Sequence, residues 1–315
     1  MSNLREQFEE YLEIRRSLGF KLQTPAGRLR TFVALMEGEG ASRITTELAL
    51  RWATSPRDVQ LATWSDRLAT VRRFAIWLSA MAPGTEIPPA GLLPHRYHRK
   101  PPYIYSDDEI ERLVRVAGDL PSSNGLRAHT YTTLFGLLAV TGMRVSEAVA
   151  LDRKDLDLPN GAITIRQAKF GKSRIVMVHS STADALDEYA KMRDALLPVL
   201  MTQAYFVSEG GVRITGGAAR YTFAKVSREI GLRKPIKGCG HGRGPRLHDM
   251  RHRFVVKTLV DWYRAGLDVE REIPKLATYL GHVHVSDTFW YIEAVPELLQ
   301  LATERLMNAP QGVRA

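Results

Sequence analysis

Apolar residues recur at helical spacing along almost the whole chain, and the period falls to two in a single stretch. That stretch covers Leu156–Leu158, Ala162–Arg166 and Arg174–Val178, with Pro159-Asn160-Gly161 as one turn and Gln167–Ser173 as a longer loop. It predicts a three-stranded antiparallel meander set into a helical body. The expected fold class is therefore mainly α with a small antiparallel β-sheet.

The helical pattern is itself divided. Phe8, Tyr11, Leu12, Ile14 and Leu18 mark a first helix, ended by Gly19. A second starts at Pro25 and carries Leu29, Phe32, Val33 and Met36, and a third follows Thr45-Thr46 with Leu48, Leu50 and Trp52. The fourth runs from about Asp58 to Met81, with Arg67, Arg72 and Arg73 between its apolar positions. These arginines face phosphates or form a solvated basic face.

Pro83, Gly84, Pro88-Pro89 and the run His95–Pro102 then interrupt the period. The expectation is a four-helix domain over 1–95, a basic Pro-rich linker over 96–102 and a second domain over 103–315. The linker either lies along an anionic backbone or acts as a tether. In the second domain Ser106–Glu109 reads as a capping box, and an apolar helix over about Thr130–Val140 stops at Gly142. Another helix starts near Arg144. After the meander, helices are expected at about Thr182–Leu197, Gly217–Ile230, His248–Tyr263, Ile273–Leu280, Asp287–Ala294 and Glu297–Met307.

Charge narrows the partner. Lys and Arg total 44 against 34 acids, a formal net charge of +10, which favours a polyanion over an uncharged ligand. Nucleic acid leads over anionic membrane, because no basic amphipathic helix with an aromatic face stands out. The lone Cys239 excludes an intramolecular disulfide and fits a reducing compartment. The first sixteen residues are charged without an apolar core, and no run of about 18 apolar residues occurs, so neither a signal peptide nor a membrane span is expected. The expected location is cytoplasmic, with the nucleoid.

The residues that bear chemistry cluster late in the chain. His248 and Arg251 stand three apart at a helix start, and residues at that spacing share a face. The helix N-terminus itself favours an anion, and the glycines of Gly238–Pro245 let backbone approach a phosphate. Leu280-Gly281-His282 follows, then Tyr291 nine residues beyond the histidine. Upstream, Thr141-Gly142-Met143-Arg144-Val145-Ser146-Glu147 delivers a second arginine to a turn, with Glu147 one turn on. Two arginines, two histidines and a tyrosine suit a site that grips a phosphodiester and attacks it. A phenol of pKa ≈ 10 is about a thousandth ionised at pH 7, a deficit of roughly 4 kcal/mol, so its proton must be taken during the step. The arginine forks suit the non-bridging oxygens and the charge that builds in the transition state. His282 is suited to donate to the same phosphate, and His248 to act as base and later as acid. Tyr279, inside an apolar helix, is read as packing. Cys239 with His241, His248 and His252, or His282 with His284, matches no usual zinc spacing, so no metal is expected. His252 and His284 are read as phosphate-adjacent or structural.

In this order (apolar helix, T-G-x-R-x-S-E, meander with a lysine loop, H-x-x-R, L-G-H, tyrosine) the chain resembles the tyrosine recombinase, or phage integrase, family from about Tyr103 to Met307. The resemblance implies a catalytic set of Arg144, Lys169, His248, Arg251, His282 and Tyr291, with Glu147 supporting the first arginine. Lys172 shares the loop with Lys169 and is the alternative general acid for the departing 5′-oxygen. It further implies cleavage and rejoining of double-stranded DNA through a 3′-phosphotyrosyl intermediate, with no metal or other cofactor. Residues 1–95 would be the core-site DNA-binding domain, and the assembly a homo-tetramer on DNA, with related recombinases as possible partners. The 31 residues from Arg251 to His282 exceed the family's usual spacing, with the extra placed in Asp261–Pro274, which suggests a mobile-element integrase acting in integration or transposition. The amphipathic tail after Pro296 either closes its own domain or docks on a neighbouring protomer, the second being preferred. A type IB topoisomerase shares the chemistry, and a catalytically idle DNA-binding accessory protein is the reading from another class.

Overall fold

The structure is a computed structural model and describes residues 4–94, 102–166, 173–199, 202–234 and 244–308. The chain forms two compact units, Met1–Lys100 and Pro101–Ala315.

The first unit contains α1 (Leu4–Ser17), α2 (Gln23–Gly38), α3 (Thr46–Thr54) and α4 (Leu61–Leu78). Their stripes meet in one core of Phe8, Leu12, Leu29, Phe32, Val33, Met36, Trp52, Val71 and Phe74. The Thr45 hydroxyl accepts from the Leu48 amide and starts α3 as the sequence predicts. The stripe of α1 is shorter than expected: Ile14 and Leu18 are exposed, because the last turn of α1 runs past the core. Arg67 is not a free cation. Its guanidinium lies 3.7 Å from the Trp52 ring and donates to the carbonyls of Trp52 and Ala53, at 2.7 and 3.1 Å, so it caps the C-terminus of α3. Arg72 donates to the Pro88 carbonyl. Arg73 is exposed.

The second unit is built on α6 (Leu126–Thr141), which is apolar on most of its circumference and lies inside the main core. Around it pack α5 (Asp107–Gly118), α7 (Val145–Ala150), α8 (Ser180–Leu196) and α10 (Asp249–Arg264), and α9 (Gly216–Glu229) covers α5 and α7. The Ser106 hydroxyl and the Glu109 carboxylate make the predicted capping box of α5.

The meander is present. Strands β1 (Leu156–Asp157), β2 (Ala162–Ile165) and β3 (Arg174–Met177) pair antiparallel in the order β1-β2-β3, with Ile163 opposite both Leu156 and Val176. Ile163, Ile165 and Val176 point into the core, so one face of the small sheet is dry.

A second cluster joins α10 to α11 (Val269–Leu280), α12 (Ser286–Ala294) and α13 (Pro296–Asn308) through Val255, Leu259, Ile273, Leu276, Tyr291 and Leu298. Helix α11 begins four residues before the expected Ile273. Asp268 caps it, and Pro274 sits inside it without ending it. In this chain α13 packs on α10 and α12, and Leu298 is wholly buried, so the tail closes its own domain. Among the described residues no helix is long and apolar enough to cross a membrane.

Candidate active site

Two helix C-termini face each other at the centre of the second unit, and a glycine ends each of them. Gly142 closes α6 with φ 61° and Gly281 closes α11 with φ 67°, in the left-handed region where glycine avoids the penalty of a Cβ. At α11 the Gly281 amide donates to Thr278 O at 3.0 Å and the His282 amide to Ala277 O at 2.9 Å, the paired bonds of a Schellman motif. Space matters as well as φ: a Cβ on Gly142 would lie 2.6 Å from Phe254 Cδ1, and one on Gly281 would lie 2.8 Å from an Arg174 Nη. The glycines of T-G-x-R and L-G-H are thus helix stops that let α10 and β3 come close.

Helix ends leave carbonyls without intrahelical partners and carry a partial negative charge. Three guanidinium groups gather on them. Arg251 donates to Gly142 O and to Leu280 O, both at 2.8 Å, and is almost completely buried. Arg144 reaches Leu280 O at 3.5 Å and Gly281 O at 3.3 Å. Arg174, on β3, donates to Tyr279 O at 2.7 Å. Burial, reinforced by the neighbouring Arg144 cation, lowers the pKa of Arg251 to about 10, which leaves it charged at neutral pH.

Glu147 ties this group together. Its carboxylate accepts from the Arg144 amide and guanidinium, both at 2.9 Å, and from two Arg174 nitrogens at 3.0 and 2.8 Å. Burial alone would raise its pKa, but the bonds to Arg174 and Arg144 outweigh it and hold the value at about 2. Arg174 belongs to the site, yet the sequence reading assigned it only to a strand. Its signal was the position just after the lysine loop, on the edge of the sheet that faces α11.

The tyrosine and histidines come from α10, α12 and the turn that follows α11. Tyr291 on α12 is buried, and its hydroxyl lies 2.6 Å from His252 Nδ1. His252, read from the sequence as phosphate-adjacent or structural and not as one of the catalytic set, follows directly on Arg251 of the H-x-x-R motif. His282 Nδ1 lies 2.7 Å from Thr288 Oγ1, which fixes the imidazole that follows the Gly281 turn. His248, at the N-terminus of α10, keeps an exposed edge, and its ring lies 4.9 Å from that of His252. The packing about it, then His252 and Arg251, lowers its pKa below the usual histidine range, so it is neutral at pH 7. Tyr279 packs as the sequence predicts, stacked on Phe254 at 5.7 Å, and burial raises its phenol to about 12.

Arg144, Arg251, His282 and Tyr291 are therefore brought to one place, with His248 at its rim. Lys169 and Lys172 lie outside the described residues, as do Cys239 and His241. The remaining arrangement is a cationic cluster, buried at Arg251 and Tyr291, that offers guanidinium donors and imidazoles beside a phenol.

Comparison with known proteins identifies the family. The model of the phage integrase family matches residues 104–297. A putative integrase/recombinase of Sinorhizobium fredii is 46% identical over 310 residues, covering 97% of this chain and 98% of that protein. The tyrosine recombinase XerD of Ralstonia nicotianae is 26% identical over 90% of this chain and 86% of its own. Among solved structures, the site-specific recombinase XerH in a post-cleavage complex with its difH substrate superposes with a TM-score of 0.61 at 19% identity, covering 91% of this chain and 80% of that one. The chain belongs to the phage integrase family, the tyrosine recombinases.

Proposed function

We propose that this recombinase cleaves and rejoins double-stranded DNA at specific sites with Tyr291 as nucleophile. The observation that carries the reading is the convergence of Arg144 and Arg251 on the Leu280 carbonyl, one residue before the Gly281-His282 turn, in the same domain as the buried Tyr291. A phosphodiester entering there exchanges neutral carbonyl partners for its own charged oxygens, and bonds to charged groups are about twice as strong as neutral ones.

Arg144 and Arg251 hold the non-bridging oxygens, and His282 donates to one of them. The phenolate oxygen forms a bond to phosphorus and the bond to the 5′-oxygen breaks, giving a 3′-phosphotyrosyl link. Lys169 or Lys172 protonates the leaving oxygen, and His248 at the rim takes part in proton transfer. The free 5′-hydroxyl of a partner duplex then reverses the step, so the bond energy is conserved and no cofactor is called for.

The first unit, with the stretch 96–102 joining it to the second, serves as the core-site DNA-binding domain. The assembly is a homo-tetramer on two duplexes, with related recombinases as possible partners and the nucleoid as its place of work. Integration or transposition of a mobile element is the biological setting this reading favours.

A nicked suicide substrate, which loses the short fragment after cleavage and so blocks rejoining, tests the chemistry. The unmodified protein should form a covalent protein–DNA adduct and Tyr291→Phe should not. An adduct that persists in Tyr291→Phe refutes the assignment of the nucleophile. Relaxation of any supercoiled plasmid lacking a cognate site would favour the topoisomerase reading instead.

A further inference from the structure

We propose that His252 takes the proton from Tyr291 as the phenol attacks, with Asp249 stabilising the imidazolium that forms. The inference rests on the reading of Tyr291 as nucleophile. The phenol oxygen and His252 Nδ1 are 2.6 Å apart, a direct hydrogen bond to the reacting atom. Both side chains are buried, so bulk water does not compete for that proton.

The tautomer follows from the contact. If the phenol donates to Nδ1, the neutral ring carries its hydrogen at Nε2, the edge turned to Asp249. Asp249 Oδ1 lies 3.8 Å from Nε2, an ion-pair distance rather than a hydrogen bond. The carboxylate is itself held: the Arg246 amide donates to Oδ2 at 2.6 Å and the Arg246 guanidinium to Oδ1 at 3.3 Å. Asp249 is buried, and a buried carboxylate beside the ring favours the charged imidazole. About the ring stand His248 and Asp249 on its own helix, with Trp290 and Tyr291 on α12. Packing about His248, then the neighbouring His252 and Arg251, disfavours the cation of that histidine.

In the step, the Tyr291 O–H bond breaks and a bond from hydrogen to His252 Nδ1 forms. The phenolate attacks phosphorus, and the 5′-oxygen leaves with a proton from the lysine loop. On rejoining, the 5′-hydroxyl returns its proton to the lysine loop as its oxygen displaces the phenol oxygen, which recovers its own proton from the His252 imidazolium. An imidazole titrating near neutral pH matches this two-way task better than water does. Because His252 adjoins Arg251 on α10, the base and one half of the phosphate grip share a single helix.

The test is the pH dependence of single-turnover adduct formation on the suicide substrate. The unmodified protein should gain rate with pH and level off once one imidazole is neutral. His252→Asn, which retains a polar partner for the phenol without basicity, should form adduct about 100-fold more slowly, the low end of the span typical of a general base. Its rate should keep rising towards the phenol's own pKa, with DNA affinity within about threefold of the unmodified value, because general-base catalysis acts on the step and not on binding. A variant with the unmodified rate and pH limb overturns the proposal, and so does loss of DNA affinity in proportion to the rate.

A second measurement leaves His252 in place and introduces 3,5-difluorotyrosine at position 291. If His252 is the base, the low-pH limb belongs to an imidazole and stays where it was. A limb that moves down with the phenol's pKa overturns the proposal. Absence of any adduct in the unmodified protein instead refutes the nucleophile reading on which this one rests.

Discussion

Replacing Glu147 with glutamine tests the framework of the site through stability. The carboxylate is buried, and its pKa falls from 4.5 to about 2 because Arg174 and Arg144 together outweigh the cost of burying it. A downward shift of that size corresponds to roughly 3 kcal/mol of folding free energy at pH 7, at 1.36 kcal/mol per pKa unit. The sign is that of a depressed carboxylate: the contribution is complete above the unfolded pKa and is lost as pH falls through the folded one. It should shrink to about 1.4 kcal/mol by pH 3, following the linkage relation for these two values. Glutamine keeps the shape but leaves two guanidinium groups facing a neutral amide, and breaking a buried pair in this way typically costs about 3–5 kcal/mol. Urea unfolding at pH 7 and again near pH 3 measures both parts. The expected result is a loss of about 3 kcal/mol for Glu147→Gln at pH 7 and about half of that at pH 3. An equal loss at both pH values, or none at pH 7, would refute the argument that the two arginines hold this carboxylate ionised.

Three further outcomes follow from the same geometry. Arg67→Ala should lower the stability of the first unit by about 1–2 kcal/mol, through the lost helix-cap bonds and the contact with Trp52, and leave DNA affinity nearly unchanged in a filter-binding assay. Gly142→Ala should cost the second unit about 1–3 kcal/mol in urea unfolding, since the new Cβ meets the Phe254 ring at a left-handed position. DNA affinity should fall steeply and log-linearly with salt, with a slope of about −0.9 for each phosphate neutralised, and a flat response would count against nucleic acid as the partner of this +10 chain.

Much of the fold was legible because its signals are local. Helical stripes, the capping box at Ser106 and the change of period at Leu156 each depend on neighbours within a few residues, and the structure places helices and strands close to where these signals put them. The errors lie where tertiary contact overrides local pattern. Arg67 has the spacing of a surface cation, and only the approach of Trp52 from another helix makes it a cap. The helix expected from Ile273 starts earlier, because Asp268 caps α11 and Pro274 is carried within it. The positions of the site arginines, Tyr291 and His282 could be read from motif order. The partners that hold them could not, because Arg174 to Glu147 spans 27 residues and His252 to Tyr291 spans 39. No periodicity connects residues at such separations.

The charge of the site bears on why arginines rest on carbonyls here. Among the described residues, Arg144, Arg174 and Arg251 contribute three positive charges and Glu147 one negative, and Arg251 senses all of the other three. The group is thus left with an excess of two positive charges. A phosphodiester carries one negative charge, and attack by a phenolate brings a second, so under the proposed chemistry the pentavalent phosphorus matches the excess on these four residues, while the proton that Tyr291 gives up sits on His252 beside the buried Asp249, outside this group. The bound substrate alone would leave one positive charge uncompensated. Stabilisation that is larger for the transition state than for the ground state is what raises a rate. The carbonyls of Gly142, Leu280 and Gly281 keep the forks aimed in the meantime, at the cost of neutral hydrogen bonds that a charged oxygen outcompetes. Glu147 sets the size of the excess within this group, and without its carboxylate between them the Arg144 and Arg174 cations would repel one another.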